Sequence, residues 1–343
     1  MLKWYEDANR QQDVIISSRI RLNRNVKGYA FPERLKDADR ESLIGLLKGG
    51  IQESAPSLKY QSLAPGQKAA KDVLQERRVI NAAMAENGRK MGLLMSDDES
   101  ESVLLCGDDH IRIQCSMGGL SLQKLWSRAN DLDDAVNEKF AYAFDNKYGY
   151  LTAFPTTMGT GLKASVLLHL PVTASGRQFR KLLEEIARIG LTIKGAYGEP
   201  TENYGAMYQI SNQKTLGLSE ENIIATVHQI AGQIAAQERK ARMLLKKEHR
   251  GEREDETYKS YGVLKYARRL SLKEGMTYLS QIRAGLNDGY IHTQTPVNIY
   301  GLMLGIQPAN LAENAEHPVK DEELDVLRAE YIRSQLPNLD GNQ

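Results

Sequence analysis

The chain opens its pattern with an extended segment over residues 13 to 31. There Asp13-Val14-Ile15-Ile16-Ser17-Ser18-Arg19-Ile20-Arg21-Leu22 is rich in β-branched residues and reads as a strand at the edge of a core. Helical spacing of apolar residues follows from Glu41 to about Ser54 and again from Gly66 to about Glu86. Short apolar runs at Gly92 to Met95, Ser102 to Leu105 and Ile111 to Cys115 predict an antiparallel meander, its first turn being the acidic Ser96-Asp97-Asp98-Glu99-Ser100. Ser121 to Asn146 reads as a long amphipathic helix in two parts, carrying Leu122, Leu125, Trp126, Ala129, Leu132, Val136 and Phe140 on a core face. Strand patterns recur around Ala164 to Leu170, Leu191 to Lys194 and Met207 to Ser211, without the regular alternation of a doubly wound parallel sheet.

From Ser219, a plausible cap, to about Glu248 one long helix is expected, with Ile223, Val227, Ile230, Ile234 and Ala241 as its stripe. The charged run Lys246 to Glu256 lacks large apolar residues and reads as a linker. Beyond it, Tyr258 to about Ser334 holds three or four helical patterns and no convincing strand. The expected organisation is α+β: a unit of residues 1–250 and a small all-α unit of residues 257–343.

The chain has 343 residues, 41% of them hydrophobic, which is enough for a sizeable core and matches one large or two ordinary domains. No apolar run approaches a bilayer span, and Met1-Leu2-Lys3-Trp4-Tyr5-Glu6-Asp7 lacks the features of a signal peptide, so the cytoplasm is the expected address. A net charge of +1, from 45 basic and 44 acidic residues, points to neither nucleic acid nor membrane. An anion site must then be local, gathered from distant arginines and lysines. Cys106 and Cys115 have no spacing that suggests zinc or a disulfide framework, and no metal ligand set is expected.

Four pieces carry candidate chemistry. Arg19 and Arg21 project to one face of a strand and could grip a polyphosphate together, although alternating arginines also suit a solvated face. Gly107-Asp108-Asp109-His110-Ile111-Arg112 places a carboxylate pair in a turn that opens an arginine-bearing strand; a solvated turn is the plain alternative. Pro155-Thr156-Thr157-Met158-Gly159-Thr160-Gly161-Leu162-Lys163 is a glycine-containing loop ending in a lysine, and its lone GxG signals only a tight turn. Lys194-Gly195-Ala196-Tyr197-Gly198-Glu199 opens with a base and carries acids, as a surface loop would too.

Together and in this order, these pieces resemble the phosphagen kinase (ATP:guanido phosphotransferase) family over nearly the whole chain. The family's arginine pair matches Ser18-Arg19-Ile20-Arg21, its acid turn resembles Cys106 to His110 with Arg112, and its Cys-Pro-Thr-Asn loop resembles Phe154 to Gly161. Its Arg-Gly-x-x-Gly-Glu loop matches Lys194 to Glu199, followed by the shared Tyr208-Gln209-Ile210-Ser211-Asn212. The bacterial protein arginine kinases are the most similar branch, through Gln209 to Glu220, Ser260-Tyr261-Gly262 and Asp325-x-x-Arg328-Ala329. The resemblance implies a large antiparallel sheet flanked by helices that holds ATP and Mg²⁺ on one face and moves the γ-phosphoryl group to a guanidinium nitrogen.

On this resemblance Glu199 and Asp108 are the catalytic acids, rather than Asp109 or Glu202. Ser17, Ser18, Arg19, Arg21, Arg78, Arg112, Lys163, Ala164, Ser165, Lys194 and Gly195 contact ATP. Asp325, Arg328 and Ala329 are the remnant of a phosphoarginine-docking motif, whose first arginine is Leu324 here. The implied partners are proteins with exposed arginines, a second copy of the chain, and activator or protease-adaptor proteins, in protein quality control.

Several positions depart from the family. Asp108 replaces a glutamate, Gly107 a second acid, Lys163 and Lys194 arginines, Arg78 a nucleotide-contacting histidine, and Phe154 a cysteine near the acceptor. A shorter carboxylate and two lost bidentate forks leave three accounts open: a working protein arginine kinase, a catalytically reduced relative acting as a regulatory partner, and a kinase of small guanidines.

Overall fold

In the computed structural model, which describes residues 2–7, 13–199, 202–315 and 318–340 with the backbone alone of Glu199, the chain forms twelve strands and eleven α-helices. The first half holds β1 (Ile15–Arg24), α1 (Asp37–Ser54), β2 (Lys59–Leu63), α2 (Lys68–Glu76), α3 (Ala82–Ala85), β3 (Met91–Met95), β4 (Glu101–Leu105), β5 (Ile111–Gly118), α4 (Leu122–Asn137), β6 (Phe144–Asp145) and β7 (Gly149–Tyr150). There follow β8 (Leu162–His169), α5 (Phe179–Arg188), β9 (Leu191–Gly195), β10 (Gly198–Glu199), β11 (Glu202–Asn203), β12 (Met207–Asn212), α6 (Glu220–Glu248), α7 (Arg250–Tyr266), α8 (Leu272–Asp288), α9 (Ile299–Gly305), α10 (Pro308–Glu313) and α11 (Asp321–Gln335).

Eight strands form one antiparallel sheet in the order β2-β3-β4-β5-β1-β8-β12-β9. The period-two alternation of its strands separates two chemistries. Ile20, Leu22, Ile113, Cys115, Ala164, Val166 and Ile210 point to one face, where they join Leu125, Ala129 and Val136 of α4 and Val227, Ala231 and Ile234 of α6 in the main core. The register places Arg19, Arg21, Asn23, Arg112, Gln114, Ser116, Lys163, Ser165 and Gln209 on the other face. A small core of Leu74, Val79, Met84, Leu93 and Leu104 covers this polar face at one end. At the other end Leu167 and Met207 join Met276, Leu279, Tyr300 and Met303 of the C-terminal helices, together with Trp4 and Tyr5. The polar strip between these two lids is where a ligand has access to the sheet.

Four expectations change. β1 is no edge: it lies between β5 and β8, paired on both sides, which accounts for its almost complete burial. The charged run Lys246 to Glu256 is no linker but the end of α6 and the first turns of α7, broken only at His249. Its charges fall at helical spacing, so His249–Glu252 at 3.2 Å, Arg250–Glu254 at 3.9 Å and Arg253–Glu256 pair along a solvated helix face. The helix expected from Gly66 to Glu86 is two, because Arg78 adopts φ 63° and Asn81 caps α3 through a side chain that accepts from Met84 N–H at 2.8 Å. The helix expected from Ser121 to Asn146 ends at Asn137, and the chain turns through Phe140 into β6.

Candidate active site

Among the described residues the polar face gathers several cations and has one acid within ion-pair range, Asp108, 3.9 Å from Arg112. Arg19 Nε donates to Ser116 Oγ at 3.2 Å, and Arg21 donates to Gln114 Oε1 at 2.6 Å and to the Arg78 carbonyl at 3.1 Å. Arg112 donates to the Val79 carbonyl at 2.8 Å, and its buried Nε has no hydrogen-bond partner among the described residues. Arg78 reaches Gln209 Oε1 and stands 5.7 Å from the ring centroid of Tyr197. Lys163, opposite Arg21 in the register, donates to the Asn212 carbonyl, while Lys194 lies opposite Gln209 at the exposed end of the strip.

Mostly neutral partners leave much of the charge uncompensated. Burial and then the charge of Arg78 pull Arg19 down to about 9, and burial with the charges of Arg19, Arg112 and Arg78 pulls Arg21 well below the usual range. Burial lowers Arg112 against the opposing pull of Asp108 and Asp109. Lys163 falls to about 8 through burial, Lys194 and Arg21. A guanidinium keeps its proton, so the shift expresses repulsion inside a desolvated site, and a polyanion is the species that relieves it.

The expected nucleotide residues divide by strand parity. Arg19, Arg21, Arg112, Lys163 and Ser165 share the strip, and Arg78 joins it from the turn after α2. Ser18 and Ala164 point to the core face: Ser18 Oγ donates to the Gly119 carbonyl at 2.8 Å and accepts from Ser121 N–H, and Ala164 is wholly buried. Ser17 is buried opposite Leu167 near the C-terminal helices, and Gly195 ends β9 against Asn203.

In the acid turn the two aspartates have different work. Asp109 is buried and accepts from Asn23 at 2.8 Å, Asn25 at 2.6 Å and Ala153 N–H at 2.7 Å, while burial raises its pKa. His110 accepts from Val26 N–H at Nδ1 and meets the Ala30 carbonyl through Nε2 at 2.8 Å; burial lowers it to about 4, so it is a neutral brace. Asp108 alone faces a cleft of about 640 Å³, whose walls include Phe31, Glu33, Arg89 and Phe154. It accepts from Asn81 Nδ2 at 2.9 Å and stands 3.9 Å from Arg112 Nη1, which joins the cleft to the cation strip. A Cβ at Gly107 would lie 2.6 Å from Leu104 Cδ2, so a side chain there requires Leu104 to shift.

Beyond the strip, β10 and β11 pair Gly198 with Asn203 and Glu199 with Glu202. Gly198 has φ 104°, and a Cβ on it would come 2.3 Å from the Glu202 carbonyl, so the hairpin closes only with glycine there. The Glu199 carboxylate, like Pro200 and Thr201, lies outside the described residues. Tyr197, just before the hairpin, meets the Tyr300 hydroxyl of α9 at 3.1 Å. The Gly159-x-Gly161 loop is a tight turn around Arg24, which donates to Asp133 and to the Thr160 carbonyl.

In the tail, Arg328 is buried and donates to the Ile306 and Leu270 carbonyls and to Asp325 at 2.8 Å, and Ala329 lies in the core. These residues brace α11 internally.

Sequence reasoning gave no site role to Gln114, Gln209, Asn81, Tyr197 or Tyr300, although Tyr197 and Gln209 lie within its motifs. The first could have been found, since it stands two residues after Arg112 on one strand and so shares its face. The pairing of Tyr197 with Tyr300 spans 103 residues and leaves no local signal.

Two family models match the chain: ATP:guanido phosphotransferase, C-terminal catalytic domain, over residues 45–241, and protein-arginine kinase McsB C-terminal domain over residues 251–343. A protein-arginine kinase of Desulforamulus reducens is 39% identical over 342 residues, covering 98% of this chain and 96% of the relative. One from Geobacillus stearothermophilus is 37% identical over 337 residues, covering 97% and 93%. Among solved structures, the duplicated taurocyamine kinase of Schistosoma mansoni with bound transition state analog components has TM-score 0.60 at 22% identity, over 73% of this chain and 37% of that one. Lombricine kinase has TM-score 0.56 at 18% identity, over 70% and 71%. With both models matched in order and relatives aligned over nearly its whole length, the chain belongs to the ATP:guanido phosphotransferase family, on its protein-arginine kinase branch.

Proposed function

We propose that this chain transfers the γ-phosphoryl group of ATP to the guanidinium of arginine residues in proteins. The observation that carries the proposal is the strip of buried Arg19 and Arg112 and half-buried Arg21 and Arg78, held mostly by neutral partners and joined through Arg112 to the cleft of Asp108. Phosphoryl transfer needs little covalent help; alignment and charge around the phosphates do most of the work. The arginines would grip the polyphosphate, Lys163 would add a point charge, and Lys194 would close the exposed end. Mg²⁺, the family's counter-ion, would ride on the nucleotide phosphates and water and neutralise part of their charge.

The acceptor has the opposite requirement. A guanidinium, with a pKa of about 12.5–13.8, attacks only after losing a proton. Asp108 and Glu199 would orient its planar fork and take that proton, so that a nitrogen lone pair forms the N–P bond while the bond from the γ-phosphorus to the β–γ bridging oxygen breaks and ADP leaves. Phe31 and Phe154 stand partly exposed beside Asp108, offering aromatic faces to an arginine side chain that enters while its backbone stays outside. Phe154 in place of a thiol leaves proton removal to the carboxylates.

We assign self-association and adaptor contacts to the helical unit of residues 257–343, and a cytoplasmic role in protein quality control to the whole. Among the described residues no helix is long and apolar enough to cross a membrane. The experiment is incubation with Mg-ATP and an arginine-rich unfolded protein, with phosphorus NMR of the product. A P–N resonance that disappears in acid is expected; ADP formation without it would sink the acceptor assignment.

A further inference from the structure

Arg78 reaches the cation strip by a different route from its neighbours. The other cations of the strip ride on strands, whereas Arg78 stands on the turn that closes α2 and adopts φ 63°. Hydrogen bonds define that turn: Arg78 N–H donates to the Gln75 carbonyl and Val79 N–H to the Leu74 carbonyl, each at 2.8 Å. This is a Schellman closure, whose left-handed position favours glycine because a Cβ there crowds the backbone. Here an arginine occupies it. The same turn offers the Arg78 carbonyl to Arg21 at 3.1 Å and to Gln114 at 3.3 Å, and the Val79 carbonyl to Arg112 at 2.8 Å. Three residues of the strip therefore lean on a backbone conformation that its own side chain disfavours.

The groups that hold the turn lie on its outer side. Arg77 points away from the strip: its Nε donates to Asn310 Oδ1 of α10 at 2.8 Å, Nη1 to Glu99 Oε1 at 3.1 Å, and Nη2 to Glu313. Glu76 takes the other half of the same amide, accepting from Asn310 Nδ2 at 2.7 Å and from the Ala309 and Asn310 backbone N–H groups at 2.8 and 2.9 Å. Consecutive residues thus clamp both ends of one buried carboxamide. Glu99 is fixed in its turn: it is buried between β3 and β4, pairs with Lys3 at 2.9 Å and accepts from the Tyr5 hydroxyl at 3.2 Å.

From this clamp we infer that Arg77 is a positioning residue for nucleotide binding, acting through the left-handed turn that it anchors. The inference rests on the proposed use of the strip for ATP. A planar fork engaged by three separate acceptors fixes the orientation of its own backbone, which a single point charge does not. Without the fork the turn is free to leave the conformation that Arg78 disfavours. The strip then loses the Arg78 cation together with the carbonyls that aim Arg21 and Arg112, and ATP affinity falls with the fraction of chains that keep the turn.

The test is calorimetric titration of Mg-ATP into the full chain as wild type, Arg77→Met, Arg77→Lys, Arg78→Gly and Arg77→Met/Arg78→Gly, with melting temperatures and initial rates alongside. If Arg77→Met loses the turn about two times in three, Kd for ATP rises about threefold. KM for ATP should rise with it while KM for an arginine-rich unfolded protein stays unchanged, a split that lost stability alone does not produce. Arg77→Lys keeps a charge for Glu99 but not the fork. It should fall between wild type and Arg77→Met, and it replaces Arg77→Met throughout if that variant does not fold. Arg78→Gly should weaken ATP roughly tenfold, the low end for a hydrogen bond to a charged group. Glycine, however, forms the turn unaided, so in the Arg78→Gly background Arg77→Met should add no measurable loss. Unchanged ATP affinity in both Arg77 variants, or the same loss with and without Arg78→Gly, would overturn the inference. ATP binding by wild type without N-phosphate would count against the kinase reading alone, and wild type that binds no ATP would overturn both.

Discussion

The hydroxyls of Tyr197 and Tyr300 lie 3.1 Å apart, tying the segment before the β10–β11 hairpin to helix α9 of the C-terminal region. Both rings border the cation strip: the Arg78 guanidinium stands over Tyr197, and Tyr300 packs near Trp4 with ring centroids 6.4 Å apart. The hydrogen bond is thus a direct strut between the tail and the loop that carries Glu199. Tyr300→Phe keeps the ring and removes the strut. It should lower kcat by several-fold while ATP affinity stays within about twofold, since a lost neutral hydrogen bond is worth about 1 kcal/mol. Parallel kinetics and calorimetry on the variant check this, and an unchanged kcat would leave the contact without a catalytic role.

On the proposed reading, nucleotide binding depends on the arginines of the strip. Replacing Arg112 by Ala removes a donor at the junction of the strip and the Asp108 cleft, and should weaken ATP binding by about 1.5–3 kcal/mol, the range for charge-assisted hydrogen bonds. Calorimetric titration with ATP measures it directly.

The lowered pKa of Lys163 gives the site a pH signature. Burial, Lys194 and Arg21 hold it at about 8 in the free chain, so its ammonium is charged below that pH and lost above it. A bound polyphosphate favours the charged form, so ATP affinity should fall as pH rises through about 8 and beyond. Lys163→Arg keeps its charge throughout and should flatten that limb of the profile. A wild-type affinity that stays flat from pH 7 to 9 contradicts the assignment.

The adjacent aspartates should separate by phenotype. Asp108→Asn should abolish most turnover with little change in melting, because its carboxylate faces the cleft and takes one hydrogen bond from Asn81. Asp109→Asn should lower stability by about 1–3 kcal/mol, since it sets a new amide donor against three existing ones. Urea denaturation and initial rates on both variants distinguish the two.

Much of this arrangement was legible in the sequence for reasons that can be named. Arg19 and Arg21 sit two apart in a β-branched run, so their common face follows from strand geometry, and the order of the motifs carried the family and its antiparallel sheet. What was not legible depends on long-range partners or on charge in an ambiguous context. The run Lys246 to Glu256 contains no apolar residue to mark a helix; its helicity comes from ion pairs at one-turn spacing and from the continuation of α7 into buried Thr257, Ser260 and Leu264. Arg78 looked like a substituted histidine, and only its positive φ and the Gln209 contact bring it onto the strip. Arg328 looked like a docking residue, yet the carbonyls that occupy it come from turns 22 and 58 residues away.

The most direct test of the central claim compares wild type with Glu199→Gln, using Mg-ATP, an arginine-rich unfolded protein and detection of acid-labile N-phosphate. The account predicts N-phosphate from wild type and none from Glu199→Gln, with the two ATP affinities within a few fold, because on the proposed reading that carboxylate would act on the acceptor and not on the nucleotide. If wild type is as silent as the variant while still binding ATP, and Asp108→Glu with Lys163→Arg recovers nothing, phosphoryl transfer is contradicted and a nucleotide-binding regulatory role takes its place.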